Sequence, residues 1–68
     1  MNPTQNKNLV IQALRASHYL SLSQLSRNTG LDYDRVENAL DALIADEMVD
    51  YEVDNHTGIT VYFLEFES

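Results

Sequence analysis

The chain of 68 residues contains no cysteine, so neither a disulfide framework nor a thiolate metal site can hold it together. Its only glycines are Gly30 and Gly58, which rules out a glycine-rich phosphate loop. His18 and His56 lack the spacing of a metal site; His18 reads as a surface or hinge residue and His56 as a turn residue. No stretch approaches the roughly 20 apolar residues of a membrane span. Residues 1–8 are polar and the apolar stretch after them is broken by Gln12 and Arg15, unlike a signal peptide. The serines at 17, 21, 23 and 26 have no evident base partner, and carboxylates need an enclosing pocket to do acid–base chemistry. The reading is one domain over residues 1–68, cytoplasmic, not an enzyme, with no cofactor, metal or small-molecule substrate. Stability has to come from apolar packing, for which a hydrophobic content of 44% suffices.

The remaining scarcity is of positive charge. Eleven acids against four bases give a formal net charge of −7. Residues 1–35 hold all four cations (Lys7, Arg15, Arg27, Arg35) with Asp32 and Asp34, whereas residues 36–68 hold the other nine acids and no Lys or Arg. This imbalance bears on partners and solubility and not on fold.

Leu9, Val10, Ala13, Leu14 and Ser17 recur at spacings of three and four, which predicts a first helix over residues 4–17. Residues 18–20 read as a brief extended segment. Ser21-Leu22-Ser23-Gln24 matches a capping box and opens a second helix, to about Asn28, that Thr29-Gly30 ends. Asp32 caps a third helix with a core stripe of Val36, Leu40 and Leu43, running to Asp46 or Glu47. From Met48 the period changes to two: Val49, Tyr51 and Val53 alternate with acids, and Ile59, Val61 and Phe63 alternate with Thr60, Tyr62 and Leu64. A three-residue loop, 56–58, pairs Asn55 with Ile59, Val53 with Val61 and Tyr51 with Phe63, setting both apolar series on one face. A slip of one residue would set Val53 against Thr60 and Tyr51 against Tyr62, so the first register is expected.

The order helix, short strand, helix, tight turn, helix, hairpin resembles the winged helix-turn-helix family of bacterial, archaeal and phage regulators. The resemblance rests on Leu20-Ser21-Leu22-Ser23-Gln24-Leu25-Ser26, on Thr29-Gly30-Leu31, and on Val36, Leu40 and Leu43. It implies an α+β fold of three helices, a short strand and a C-terminal β-hairpin wing. Where the family often has glycine before the first wing strand, this chain reads Glu47-Met48-Val49. The resemblance further implies a third helix that enters the major groove and a wing that touches phosphate.

The residues at those positions carry mixed signals. Arg35 could read guanine and Asn38 adenine, with Arg27 nearby, while Asp34, Glu37 and Asp41 would face phosphate. A domain of this size has a radius of gyration of roughly 11 Å, little more than the Debye length of about 8 Å. The acids are therefore poorly screened from a bound duplex. The wing also carries an apolar strip, Tyr62, Leu64 and Phe66, read as facing outward beside Asp50, Glu52 and Asp54. The sequence therefore favours an acidic regulatory module acting through protein–protein contact, on a basic or apolar partner or by self-association, including mimicry of DNA. Its contact residues would be Tyr33, Asp34, Glu37, Asp41, Asp50, Glu52, Asp54, Tyr62, Leu64 and Phe66. The alternative is a DNA-binding transcriptional regulator using Arg27, Arg35 and Asn38, as a dimer or with a basic partner.

Overall fold

The computed structural model of the chain describes residues 3–65. The elements in order are α1 (Pro3–Ser17), β1 (Leu20–Ser21), α2 (Leu22–Thr29), α3 (Tyr33–Ala45), β2 (Val49–Val53) and β3 (Thr60–Leu64). Proline suits the first turn of α1, where its missing N–H would have no helical acceptor. The helix ends at His18, whose φ of 62° is left-handed and whose N–H donates to the Leu14 carbonyl at 2.8 Å. Histidine is among the few non-glycine residues enriched in that conformation. His18 is thus the exposed joint between α1 and β1.

The sequence signals around α2 act as read. Ser21 Oγ accepts from Gln24 N–H at 3.3 Å and Gln24 Oε1 accepts from Ser21 N–H at 2.9 Å, completing the capping box. Gly30, at φ 77°, donates its N–H to the Ser26 carbonyl. The turn into α3 is tightened by Ser26 Oγ donating to the Leu31 carbonyl at 2.6 Å and Thr29 Oγ1 accepting from Leu31 N–H at 3.2 Å. Asp32 Oδ1 then accepts from Arg35 N–H at 2.9 Å and caps α3.

The exit from α3 explains the missing glycine. Glu47 stands at φ 60°; its N–H donates to the Ile44 carbonyl at 3.0 Å, and Met48 N–H donates to the Leu43 carbonyl at 2.9 Å. That is a Schellman closure with glutamate in the left-handed position, which costs an L-residue about 1–2 kcal/mol. Allowing for the greater unfolded-state freedom of glycine, Glu47→Gly is expected to stabilise the fold by about 0.5–1 kcal/mol. The urea midpoint would rise with an unchanged m-value; a fall would show that the side chain makes a contact worth more than the strain.

The three strands form an antiparallel sheet in the order β1-β3-β2. The hairpin register corrects the sequence expectation, because Val53 pairs with Thr60, Tyr51 with Tyr62 and Val49 with Leu64. The loop has four residues, 55–58, closed by Asp54 N–H donating to the Ile59 carbonyl at 2.9 Å. Asp54 causes this: its Oδ1 accepts from His56 N–H at 2.8 Å and its carbonyl accepts from Gly58 N–H at 2.7 Å. Alternation fixed the face of β2 correctly and misplaced that of β3, since Thr60, Val61, Tyr62 and Phe63 are all half-buried. β3 is the central strand, with β1 paired along its other edge, and on its outer face the Tyr19 ring lies 5.5 Å from that of Phe63.

One buried cluster joins the elements: Val10 and Leu14 of α1; Leu20 of β1; Leu25 of α2; Leu31 of the following turn; Val36, Ala39, Leu40 and Leu43 of α3; Val49 of β2; and Leu64 of β3. Only the base of the hairpin enters it, so the outer half of the wing is free to project beside α3.

Candidate functional site

The helix that the sequence singled out presents two chemically different sides. On the side toward α1, Arg35 and Asn38 share a groove of about 200 Å³ with Pro3, Asn6 and Lys7, floored by Ala39 and Ala42. The buried Oδ1 of Asn6 has no hydrogen-bond partner there among the described residues. Arg35 Nη1 is drawn back to Asp32 Oδ2 at 2.9 Å, with both side chains more than half exposed. Such a pair is worth at most about 1 kcal/mol, so a stronger anion can displace it. Arg27 is exposed in the last turn of α2, outside this groove.

On the other side, α3 faces the wing. Burial first, then the charges of Glu37 and Asp41 and the neighbouring Tyr51, raise the phenol of Tyr62 above its usual range. Tyr51 and Tyr62 are cross-strand partners with ring centroids 6.1 Å apart. Tyr33, 51% exposed at the start of α3, borders a cleft of about 380 Å³ with Leu22, Ile59, Thr60 and Tyr62. Asp34 is exposed in the first turn of α3, where the helix dipole favours its charge.

The register redistributes the wing residues. Tyr62 turns inward toward α3, whereas Asp50 and Glu52 lie on the opposite face with Phe63 and Val61. Leu64 is buried against Val49 and is not a surface residue. Asp54 is an exposed turn former, and Phe66 lies outside the described residues. The strip expected from Tyr62, Leu64 and Phe66 therefore does not form as read. The exposed apolar residues of the wing are Tyr51, Val53 and Ile59, at 50%, 57% and 51%. Alternation alone places them in the core, and the signal for the correct register is local: the Asp54 side chain and carbonyl, which accept from His56 and Gly58 N–H.

A second acidic group sits at the base of the hairpin. Desolvation, a hydrogen bond with the Asp50 carboxyl, and the charges of Asp50 and Glu47 raise the carboxyl of Glu65 above its usual range. A raised folded-state value means that Glu65 supports folding below its unfolded pKa, about 4.3, and that this support is lost as pH rises through the folded value. Glu65→Gln is expected to gain stability at neutral pH and to lose that part of the pH dependence. Denaturant midpoints of both proteins across the acidic range check this; parallel curves would contradict it. Among the described residues no group of three or more His, Asp or Glu is placed to hold a metal ion, and no helix is long and apolar enough to cross a membrane.

No family model matches the sequence, and no curated protein matches it. Solved structures do. A MarR-family transcriptional regulator from Silicibacter pomeroyi is 28% identical, over 88% of this chain and 41% of its own, with a TM-score of 0.77. Bordetella bronchiseptica BpsR, whose DNA binding is regulated by 6-hydroxynicotinic acid, is 22% identical over 87% and 46%, with a TM-score of 0.79. The Zalpha domain of Carassius auratus PKZ, solved in complex with Z-DNA, is 24% identical over 91% and 95%, with a TM-score of 0.76. The chain spans less than half the length of the two bacterial regulators. Three helices, the capped turn between α2 and α3, and a three-stranded sheet ending in a hairpin make this chain a winged helix-turn-helix.

Proposed function

We propose that the chain is a winged-helix transcriptional regulator that meets DNA with the α1-facing side of α3, as a dimer or together with a basic partner. The observation that carries this reading is the gathering of Lys7, Arg35 and Asn38 along one groove, on a scaffold shared with DNA-binding regulators. Asn38 offers the donor–acceptor pair that suits adenine and Arg35 the fork that suits guanine or phosphate, while Arg27 adds a cation at the end of α2. A monomer with a net charge of −7 and a radius of gyration of 11.0 Å opposes a duplex with most of its surface. A dimer would set two copies of the few cations, Lys7, Arg27 and Arg35, along one duplex without changing the sign of the total charge, whereas a basic partner would supply the missing positive charge. Fluorescence anisotropy with genomic and non-specific duplexes at low salt, with mass measured in parallel, tests this. Two copies of Lys7, Arg27 and Arg35 set a log–log salt slope no steeper than roughly −5. Absence of binding at low salt, alone or with a basic partner, would remove the DNA reading.

A second reading keeps the protein-contact role that the sequence favoured. It is supported by the side of α3 that turns Glu37 and Asp41 toward the wing, where phosphate is repelled and a cation is drawn.

A further inference from the structure

The wing is longer than its core requires, and its outer half is apolar where it faces α3. Past the buried Val49–Leu64 pair, the inner face of the hairpin carries Tyr51, Val53, Thr60 and Tyr62. Tyr33 of α3 lines a cleft with Leu22, Ile59, Thr60 and Tyr62, and the carboxylates of Glu37 and Asp41, farther along α3, lie near enough to Tyr62 to raise its phenol. The exposure of Tyr33, Tyr51, Val53 and Ile59 is about half or more at each. The two carboxylates stand one and two turns beyond Tyr33 on the same side of the helix. We propose that this cleft between α3 and the wing is a docking surface for a cationic protein segment with an apolar anchor, the anchor seated among Tyr33, Tyr51 and Tyr62 and its Lys or Arg neighbours held by Glu37 and Asp41.

Charge complementarity selects that occupant. Arg35 and Lys7 line the groove on the other side of α3, and no Lys or Arg lines the cleft. A second copy of the chain brings the same acids and the same excess of seven negative charges, and is repelled. DNA brings phosphate to the same carboxylates. Addition of a partner strand along the edge of β2 is obstructed too. The Asp54–Ile59 hydrogen bond sets the even residues of β2 toward β3 and the odd ones outward. The outward N–H of Tyr51 is already taken by Asp50 Oδ1 at 2.8 Å. The partner therefore lies in the cleft and does not extend the sheet. This inference rests on the second reading above and goes beyond it in naming the site and the chemistry of the partner.

The test uses the full chain and two synthetic peptides of equal charge, four repeats of Lys-Phe-Lys and four of Lys-Gly-Lys, followed by amide NMR shifts. The phenylalanine peptide is expected to bind about tenfold more tightly, with shifts concentrated at Tyr33, Tyr51 and Tyr62. The isosteric pair Glu37→Gln and Asp41→Asn is expected to weaken both peptides about tenfold, whereas Tyr51→Ala is expected to abolish only the preference for phenylalanine. Equal affinity for the two peptides, or shifts gathered on the outer face at Asp50 and Glu52, would overturn the proposal. The DNA titration separates the two readings. Peptide binding without DNA binding upholds the cleft and removes the DNA reading; DNA binding without peptide binding does the reverse.

Discussion

Leu64→Ala is expected to remove about 2–5 kcal/mol of folding stability, whereas Val61→Ala, three residues earlier on the same strand, is expected to cost well under half as much. The two substitutions separate the two hairpin registers. With Val53 opposite Val61, Leu64 would point to solvent and its truncation would cost little. With Val49 opposite Leu64, the side chain is 7% exposed and belongs to the buried core with its cross-strand partner Val49. A chain of 68 residues has a total stability of roughly 3–10 kcal/mol, so the loss at Leu64 is a large share of the whole. Urea unfolding followed by circular dichroism reads both variants. A cost at Val61 equal to or larger than that at Leu64 would overturn the register and the placement of Tyr62 toward α3 with it.

The second large effect concerns charge. Glu37→Lys with Asp41→Lys changes the net charge from −7 to −3 and reverses the acidic side of α3. DNA affinity at low salt is expected to rise by at least about tenfold, with a log–log salt slope steeper by roughly two per chain, one for each new phosphate contact. The control is Asp50→Lys with Glu52→Lys, which makes the same change of charge on the outer face of the wing. If location matters, the control gains less and its slope changes less. Equal gains from both pairs would mean that overall charge alone governs association and that α3 holds no special place. The α3 variant is also expected to lower the phenol titration of Tyr62 toward its usual range, because two of the charges that raise it have changed sign.

The helical half of the fold was legible because its signals are local. The Ser21–Gln24 box, Gly30 and Asp32 each act within a turn of their own position, and all three cap as their chemistry dictates. Glu47 was visible as a departure from the family pattern, and the structure gives it a meaning: the left-handed position is kept and glutamate bears the strain. The wing was legible as a hairpin but not in register. Register depends on burial that the sequence displays only as alternation, and β3 is apolar on both faces because it is the central strand, paired on both edges, with the Tyr19 ring against Phe63 on the outer face. That one-residue error carried the candidate contact residues with it. It turned Leu64 outward, grouped Tyr62 with Asp50 and Glu52, and hid Tyr51 and Val53 in a core that ends at Val49. On α3 the helical period places Tyr33, Asp34, Arg35, Glu37, Asn38 and Asp41 outside the core, and all six are exposed. Their division into an Arg35–Asn38 side and a Glu37–Asp41 side needed the positions of α1 and the wing.

The division of α3 into two sides is the central claim, and a single titration addresses it most directly. The isotopically labelled chain is titrated at low salt with a short duplex, and shifts are mapped residue by residue. The expected result is that perturbations gather at Lys7, Arg35 and Asn38 and leave Tyr51 and Tyr62 at their free positions. Perturbations centred on Glu37, Asp41 and Tyr62, with Lys7 and Asn38 unmoved, would contradict it.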